Sequence, residues 1–153
     1  MNEIEQQIVD GVERNGWFTV DYVPGPGDPE LWFTYTIGLT KSLGWPEMIC
    51  FGLDEQRRLG VLRDTIAECW EQQVRPQDGL ELDRVLQGAT VRLKRLGDLS
   101  GPYFAMADWY AQHSGTATVP ERLQVMWPDR DGRFPDDPDC DPDVRDRQTP
   151  KTA

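Results

Sequence analysis

Phe33-Thr34-Tyr35-Thr36-Ile37-Gly38-Leu39 is the stretch that decides the fold of this chain. From Leu31 onward its odd-numbered residues are large and apolar, and they alternate with Trp32 and a series of smaller residues that ends at Gly38. This two-residue period is typical of a β-strand, and a glycine inside such a pattern indicates a bulge or the close approach of another group. After a connector over residues 41–45, Met48–Phe51 is continuously apolar, which predicts a short strand buried on both faces.

The rest of the chain alternates between helical and strand patterns. Apolar residues recur at helical spacing over 3–14, 55–74 and 103–113, whereas 17–23, 80–86, 90–96 and 122–127 have strand character, with a short hairpin loop at 87–89. The sequence therefore predicts an α+β fold with a small, mainly antiparallel sheet of about six strands, barrel-like or strongly twisted, and about three flanking helices.

Beyond Asp136 the chain is rich in Asp, Pro and Arg and almost free of apolar residues. This composition predicts a disordered, acidic tail over 136–153, after a single domain over 1–135.

Composition limits the partners and the compartment. The 153 residues have a net charge of −11, which repels phosphate backbones, so we expect no nucleic-acid ligand. No apolar run approaches the roughly 20 residues of a membrane span, so we expect no membrane contact. Three cysteines without metal-ligand spacing and a single histidine, His113, predict a reduced, cytoplasmic protein without a metal site.

Thr36, Gly38 and Glu47 are the first candidate site residues. Thr36 could donate a hydrogen bond, Gly38 could admit a flat ligand, and Glu47 could act as a base if burial raised its pKa. The alternative is structural: a bulge at Gly38, a strand position at Thr36 and an ion pair at Glu47. Tyr35 belongs to the same stretch. Trp32 and Trp45 flank it and could form the wall of a pocket or an oligomer contact.

Trp127 and Asp129 form the second candidate. Asp129 precedes Gly132 in a turn-rich segment, where an aspartate commonly accepts backbone N–H groups and so makes the turn. A functional interpretation instead makes Trp127 a pocket wall and Asp129 a polar contact for a ligand. Turn-making is the favoured interpretation.

Four motifs in order connect the chain to a known family. They are Gly16-Trp17 after a helix, Tyr35-Thr36-Ile37-Gly38-Leu39, Pro46-Glu47, and Trp127-Pro128-Asp129-Arg130-Asp131-Gly132-Arg133-Phe134-Pro135. This set resembles the bacterial family called domain of unknown function 4262. The resemblance implies no assigned activity. It also implies histidines at two positions that are Asn15 and Trp45 here, so no metal or acid–base role transfers from them.

A second likeness concerns the fold alone. A strand that ends in a small-residue turn, then a proline-led apolar strand and a helix, is similar to the core of flavin-reductase-like split barrels. That similarity implies a flavin beside the Thr36–Gly38 turn. However, Asp54 and Glu55 make the start of the following helix acidic, where a flavin phosphate would favour positive potential.

Two function hypotheses follow. The first is a non-catalytic accessory or protein-interaction domain, favoured because the sequence contains no nucleophile–base or metal-ligand spacing. The second is a small-ligand-binding domain, possibly flavin-like, with its pocket around the Thr36–Gly38 turn. The expected partner is accordingly a protein or a small molecule, and a homo-oligomer is compatible with either hypothesis. The sequence names no cofactor.

Overall fold

A computed structural model describes residues 1–22, 32–87, 89–97, 103–116 and 121–150. In chain order these residues form α1 (Glu3–Asn15), β1 (Phe18–Tyr22), β2 (Phe33–Ile37), α2 (Leu39–Leu43), β3 (Met48–Phe51), α3 (Glu55–Gln72), β4 (Glu81–Leu86), β5 (Ala89–Arg95), α4 (Ala105–His113), β6 (Leu123–Met126) and α5 (Pro142–Gln148).

The six strands form one mixed sheet in the order β1-β2-β3-β6-β5-β4. Neighbours are antiparallel except β3 and β6, which run parallel. In β2, Tyr35 is opposite Val20 on one side and Ile49 on the other. The α+β class and the mainly antiparallel sheet are thus confirmed. The barrel-like form is not confirmed, since β1 and β4 lie at opposite edges of an open sheet.

Helices cover both faces of the central strands. On one face α3 packs through Val61, Leu62, Ile66 and Cys69 against a cluster that includes Met48 and Cys50. On the other face α1 and α4 enclose a cluster that includes Ile37, Ile49 and Phe51. All four residues of β3 are fully buried, as its continuous apolarity predicts.

Local sequence signals set several helix boundaries. The Asn2 side chain accepts the N–H of Glu5, whose carboxylate accepts the N–H of Asn2, so a capping box begins α1. Gly16 ends that helix in the left-handed conformation, with φ +86°. The Asp54 side chain accepts the N–H of Arg57 at the start of α3. Among the described residues, no helix is long and apolar enough to cross a membrane.

Two helices differ from the sequence expectation. The connector predicted over 41–45 contains part of α2, and the segment predicted to be disordered beyond Asp136 contains α5. α5 is held in place by hydrogen bonds more than by apolar contacts. The Gln148 side chain accepts the Trp127 N–H at 2.9 Å and donates to the Trp127 carbonyl at 2.8 Å. Val144 adds one buried apolar contact. Parts of the predicted elements at Val23, Leu31, Gly88 and Pro102, and the tail residues 151–153, lie outside the described residues.

Candidate functional site

Five residues join the end of β2, the start of α2 and the residue before β3. The Glu47 Oε1 atom accepts hydrogen bonds from the Thr36 hydroxyl at 2.8 Å and the Leu39 N–H at 3.2 Å. Its Oε2 atom accepts the N–H groups of Gly38 and Thr40, both at 3.1 Å. Backbone N–H groups at a helix start have no partner within the helix. Glu47 therefore caps α2 from outside it, and we call these five residues the cap cluster.

Burial and hydrogen bonding shift the pKa of Glu47 in opposite directions. The residue is only 4% exposed, and burial raises the pKa of its carboxyl group above the ordinary value, while hydrogen bonds from Thr40, Thr36 and Leu39 lower it. The Thr36 hydroxyl also accepts the Met48 N–H at 2.9 Å. Both carboxylate oxygens and the hydroxyl are thus engaged by groups of the fold itself.

The space beside the cap cluster is small. Gly38 has φ +99°, and a Cβ atom added there would lie 2.7 Å from Cγ2 of Val12, so α1 occupies the approach that the glycine leaves open. A cavity of about 10 Å³ lies beside the cluster, with Lys41 and Arg122 in its wall. That volume suits about one water molecule.

Arg122 has no counterpart among the sequence-predicted site residues. Its side chain is buried, its Nη2 donates to the Asp108 carboxylate, and its guanidinium lies 4.7 Å from the centre of the Phe104 ring. Among the described residues, its buried Nε–H has no acceptor. Its one sequence signal is a charged residue at the start of a predicted strand, which is too common a pattern to identify it.

The structure separates the predicted flanking aromatics. Trp32 lies at the start of β2, where its carbonyl accepts the Gly52 N–H, whereas Trp45 lies beyond the opposite end, where its N–H donates to the Leu39 carbonyl. Tyr35 points to the other face of the sheet, and its hydroxyl accepts the Met106 N–H at 3.2 Å. Burial raises the pKa of Tyr35. Of these three residues, Trp45 alone is hydrogen-bonded to the cap cluster, since its carbonyl also accepts the Thr40 hydroxyl at 2.8 Å.

Trp127 and Asp129 also serve the fold at a distance from the cap cluster. The indole N–H of buried Trp127 donates to the Phe51 carbonyl at 2.8 Å, at the far end of β3 from Glu47. The Asp129 carboxylate accepts the N–H groups of Asp131, Arg133 and Asp141, each at 2.9 Å. These backbone bonds, that of Arg133 first, lower the pKa of Asp129. The geometry is that of the turn-making interpretation.

A larger open concavity lies elsewhere, between the C-terminal ends of α1 and α2 and one side of α3. We call it the α3 groove. Its volume is about 440 Å³ and it opens to solvent. Its apolar wall and floor consist of Gly16, Trp17, Leu43, Ile66, Ala67 and Trp70. The polar side chains at its margin are Asn15, Ser42 and Arg63.

Trp70 dominates this groove. It is 65% exposed, and its ring centre lies 6.4 Å from that of Trp45. Helical spacing places Trp70 on the same side of α3 as Arg63 and Ala67. The sequence does not reveal the groove, because its walls come from three elements distant in sequence. Of the two positions where the resemblance implies histidine, Asn15 lines this groove and Trp45 contacts the Trp70 ring.

The fold and the groove define a small α+β domain with an open apolar groove beside α3. The chain belongs to the family described as Domain of unknown function (DUF4262), whose sequence model matches residues 11–141. The comparison with curated proteins gave no match, and neither did the comparison with solved structures.

Proposed function

We propose that this chain is a non-catalytic protein-interaction domain that binds its partner in the α3 groove. The observation that supports it best is Trp70, a large aromatic side chain left 65% exposed in an open apolar concavity. Contiguous apolar surface of this kind marks interaction sites, and tryptophan is among the residues that most often dominate binding energy there.

The polar residues with suggestive chemistry support a non-catalytic role. The carboxylates of Glu47 and Asp129 are engaged by backbone N–H groups of the chain itself. Among the described residues of the α3 groove, the polar side chains are Asn15, Ser42 and Arg63, a set without a general base for the Ser42 hydroxyl. Binding is therefore a better description of this surface than catalysis.

A small-ligand function is the second candidate, and the size of the groove favours it. About 440 Å³ falls within the usual range of ligand sites, and aromatic walls suit a planar molecule such as a flavin. The cavity of about 10 Å³ beside the Thr36–Gly38 turn is too small to hold such a molecule. Under this hypothesis the ligand lies against Trp70, at a distance from the turn.

The charge and the cysteines bear on the setting. A net charge of −11 favours a protein partner over nucleic acid or an anionic membrane. Three free, buried cysteines fit a reducing cytoplasm. A homo-oligomer through the same groove is a further form of the interaction hypothesis.

Two exposed tryptophans provide a matched test. Tagged wild-type protein, Trp70→Ala and Trp32→Ala are used to capture proteins from an extract of the cells that make the chain, and the captured proteins are quantified by mass spectrometry. Trp32 is 48% exposed but lies away from the groove, so its variant controls for the loss of an exposed indole. We expect a set of proteins that Trp32→Ala retains and Trp70→Ala loses. Identical captures by all three proteins would contradict the proposal.

The ligand alternative has its own measurement. Riboflavin, FMN and FAD are titrated into wild-type and Trp70→Ala protein while tryptophan emission is followed. Saturable quenching in the wild type that disappears in Trp70→Ala would favour the ligand function. Unchanged emission would remove the flavin form of that hypothesis.

A further inference from the structure

We propose that the segment bound in the α3 groove is a basic, amphipathic helix of a partner protein. This inference rests on the proposed function and adds the chemistry of the partner. Three features of α3 support it: a glycine that the fold itself does not require, an exposed face about three turns long, and an acidic stripe along that face.

Gly60 lies in the middle of α3, where glycine costs about 1 kcal/mol relative to alanine. A Cβ atom at this position would meet nothing nearer than Nη2 of Arg63 at 3.8 Å among the described residues, which is an ordinary contact. Packing within the described chain therefore gives no reason for a glycine here. A glycine on a helix surface does allow the close approach of a second backbone.

The exposed face of α3 has the length that a docked helix requires. Leu59, which is 38% exposed, lies on the same side of the helix as Arg63 and Trp70 and extends the groove by one turn. From Leu59 to Trp70 the helix rises about 16 Å. A partner helix lying along this face would place apolar residues at i, i+3 or i+4, and i+7 against Ala67 and Trp70.

The charges beside the groove select a basic partner. Asp64, Glu68 and Glu71 follow each other at helical spacing and form the stripe next to the groove face of α3. The cation at the margin, Arg63, lies 3.4 Å from the Asp64 carboxylate, so these two charges offset each other and Glu68 and Glu71 leave this side of α3 negative. Since the whole chain has a net charge of −11, lysine and arginine on the partner helix gain attraction both near the groove and at long range.

A second copy of the chain fits this surface less well. A symmetric contact through α3 would bring two acidic stripes together between two molecules that each have a net charge of −11. Like charges facing each other across an interface oppose association. A foreign basic helix has no such repulsion to overcome.

The test is a selection from a displayed library of helical peptides of about 20 residues, with apolar and polar positions both randomised. Peptides enriched on the wild type but not on Trp70→Ala are synthesised, and their dissociation constants are measured. The proteins used are the wild type, Gly60→Leu, the double variant Asp64→Lys/Glu71→Lys, and the control Gln72→Leu. Gln72 lies on the side of α3 opposite Arg63, so this variant places the same leucine side chain on α3 away from the groove.

We expect the enriched peptides to be basic and to become helical on binding. Gly60→Leu and the charge-reversed variant should each weaken their binding about tenfold or more, while Gln72→Leu leaves it unchanged. Neutral or acidic peptides that still depend on Trp70 would overturn the partner chemistry and leave the proposed function standing. Peptides that bind Trp70→Ala as well as they bind the wild type would overturn both the partner chemistry and the proposed function. A dimer of the free chain that Trp70→Ala dissociates, measured by light scattering, would assign the groove to a second copy.

Discussion

The cap cluster and the α3 groove lie at opposite ends of α2 and use their residues in opposite ways. At the first end, the Glu47 carboxylate and the Thr36 hydroxyl are engaged by backbone and side-chain donors of the chain. At the other end, Leu43 and Trp70 remain partly or largely exposed around an open concavity. The side chains with catalytic potential thus stabilise the fold, and side chains without such potential form the surface left open to solvent.

The physical reason for this difference is the asymmetry between polar and apolar groups. A buried N–H without an acceptor costs about 1–3 kcal/mol, so the start of a short helix such as α2 can be buried when an acceptor reaches its first turn. An exposed apolar side chain has a smaller penalty, and a fold tolerates it. Substitutions in the two regions should therefore affect different properties, stability for the cap cluster and binding for the groove.

The largest expected effect is on the stability of Glu47→Ala. The change leaves the N–H groups of Gly38, Leu39 and Thr40 without their acceptor, so we expect the free energy of unfolding to fall by at least about 3 kcal/mol. Urea denaturation followed by circular dichroism measures it. Glu13→Ala, at an exposed position of α1, is the control and should change stability by less than about 0.5 kcal/mol. Equal stability of the two variants would contradict the capping role.

The next effect compares two glycines at the ends of α2. Gly38 and Gly44 both have positive φ, +99° and +71°, but a Cβ atom at Gly38 would lie within 3 Å of Val12, whereas at Gly44 it would meet no described atom within 4 Å. We expect Gly44→Ala to cost about 1–2 kcal/mol for the left-handed conformation alone. Gly38→Ala should cost about 1–3 kcal/mol more because of overpacking. Similar urea midpoints for the two variants would show that α1 moves aside freely.

Sequence patterns predict the parts of the fold that depend on local signals. β3 begins and ends where its apolar run predicts, and α1 begins at its capping box and ends at Gly16. The prediction also groups Thr36, Gly38 and Glu47, because the strand that contains Thr36 returns through a short connector to Glu47. Thr36 and Glu47 are eleven positions apart, so the short connector keeps them close together in the fold.

The role of that group could not be predicted, because it depends on a helix with no signal of its own. α2 has five residues, and Gly38 at its start supplies no side-chain cap, so the acceptor comes from Glu47 after the helix. The α3 groove is harder still to predict, since Asn15, Leu43 and Trp70 belong to three helices whose contacts no sequence pattern shows. For α5, the deciding contact is between the side-chain amide of Gln148 and the backbone of Trp127. Composition shows Gln148 only as a polar residue and gives no sign of this contact.

The third prediction tests whether α5 is held in the same way as α2. Gln148→Ala removes both side-chain hydrogen bonds to the backbone of Trp127, so we expect a loss of about 2 kcal/mol of stability. Hydrogen exchange should show faster exchange throughout α5. Gln72→Ala, at an exposed position of α3, is the control. Unchanged exchange in α5 would mean that Val144 and its neighbours hold the helix without the amide.

The smallest expected effect is the pH dependence contributed by Glu47. Burial raises the pKa of its carboxyl group above 4.5, so the folded chain holds this proton more tightly than the unfolded chain. The stability from this difference is complete below the unfolded pKa and is lost as the pH rises through the folded one. Unfolding free energies of the wild type and of Glu47→Gln should therefore be compared between about pH 4 and pH 8.

We expect the wild type to lose stability relative to Glu47→Gln as the pH rises, by about 1.4 kcal/mol for each unit by which the pKa is raised. If the wild type instead gains stability relative to Glu47→Gln as the pH rises, the hydrogen-bond donors of Thr36, Leu39 and Thr40 outweigh burial and hold the carboxyl group ionised. That outcome would contradict the raised pKa while it strengthens the capping role. The sign of this pH dependence therefore decides whether Glu47 is neutral or ionised where it accepts the N–H groups at the start of α2.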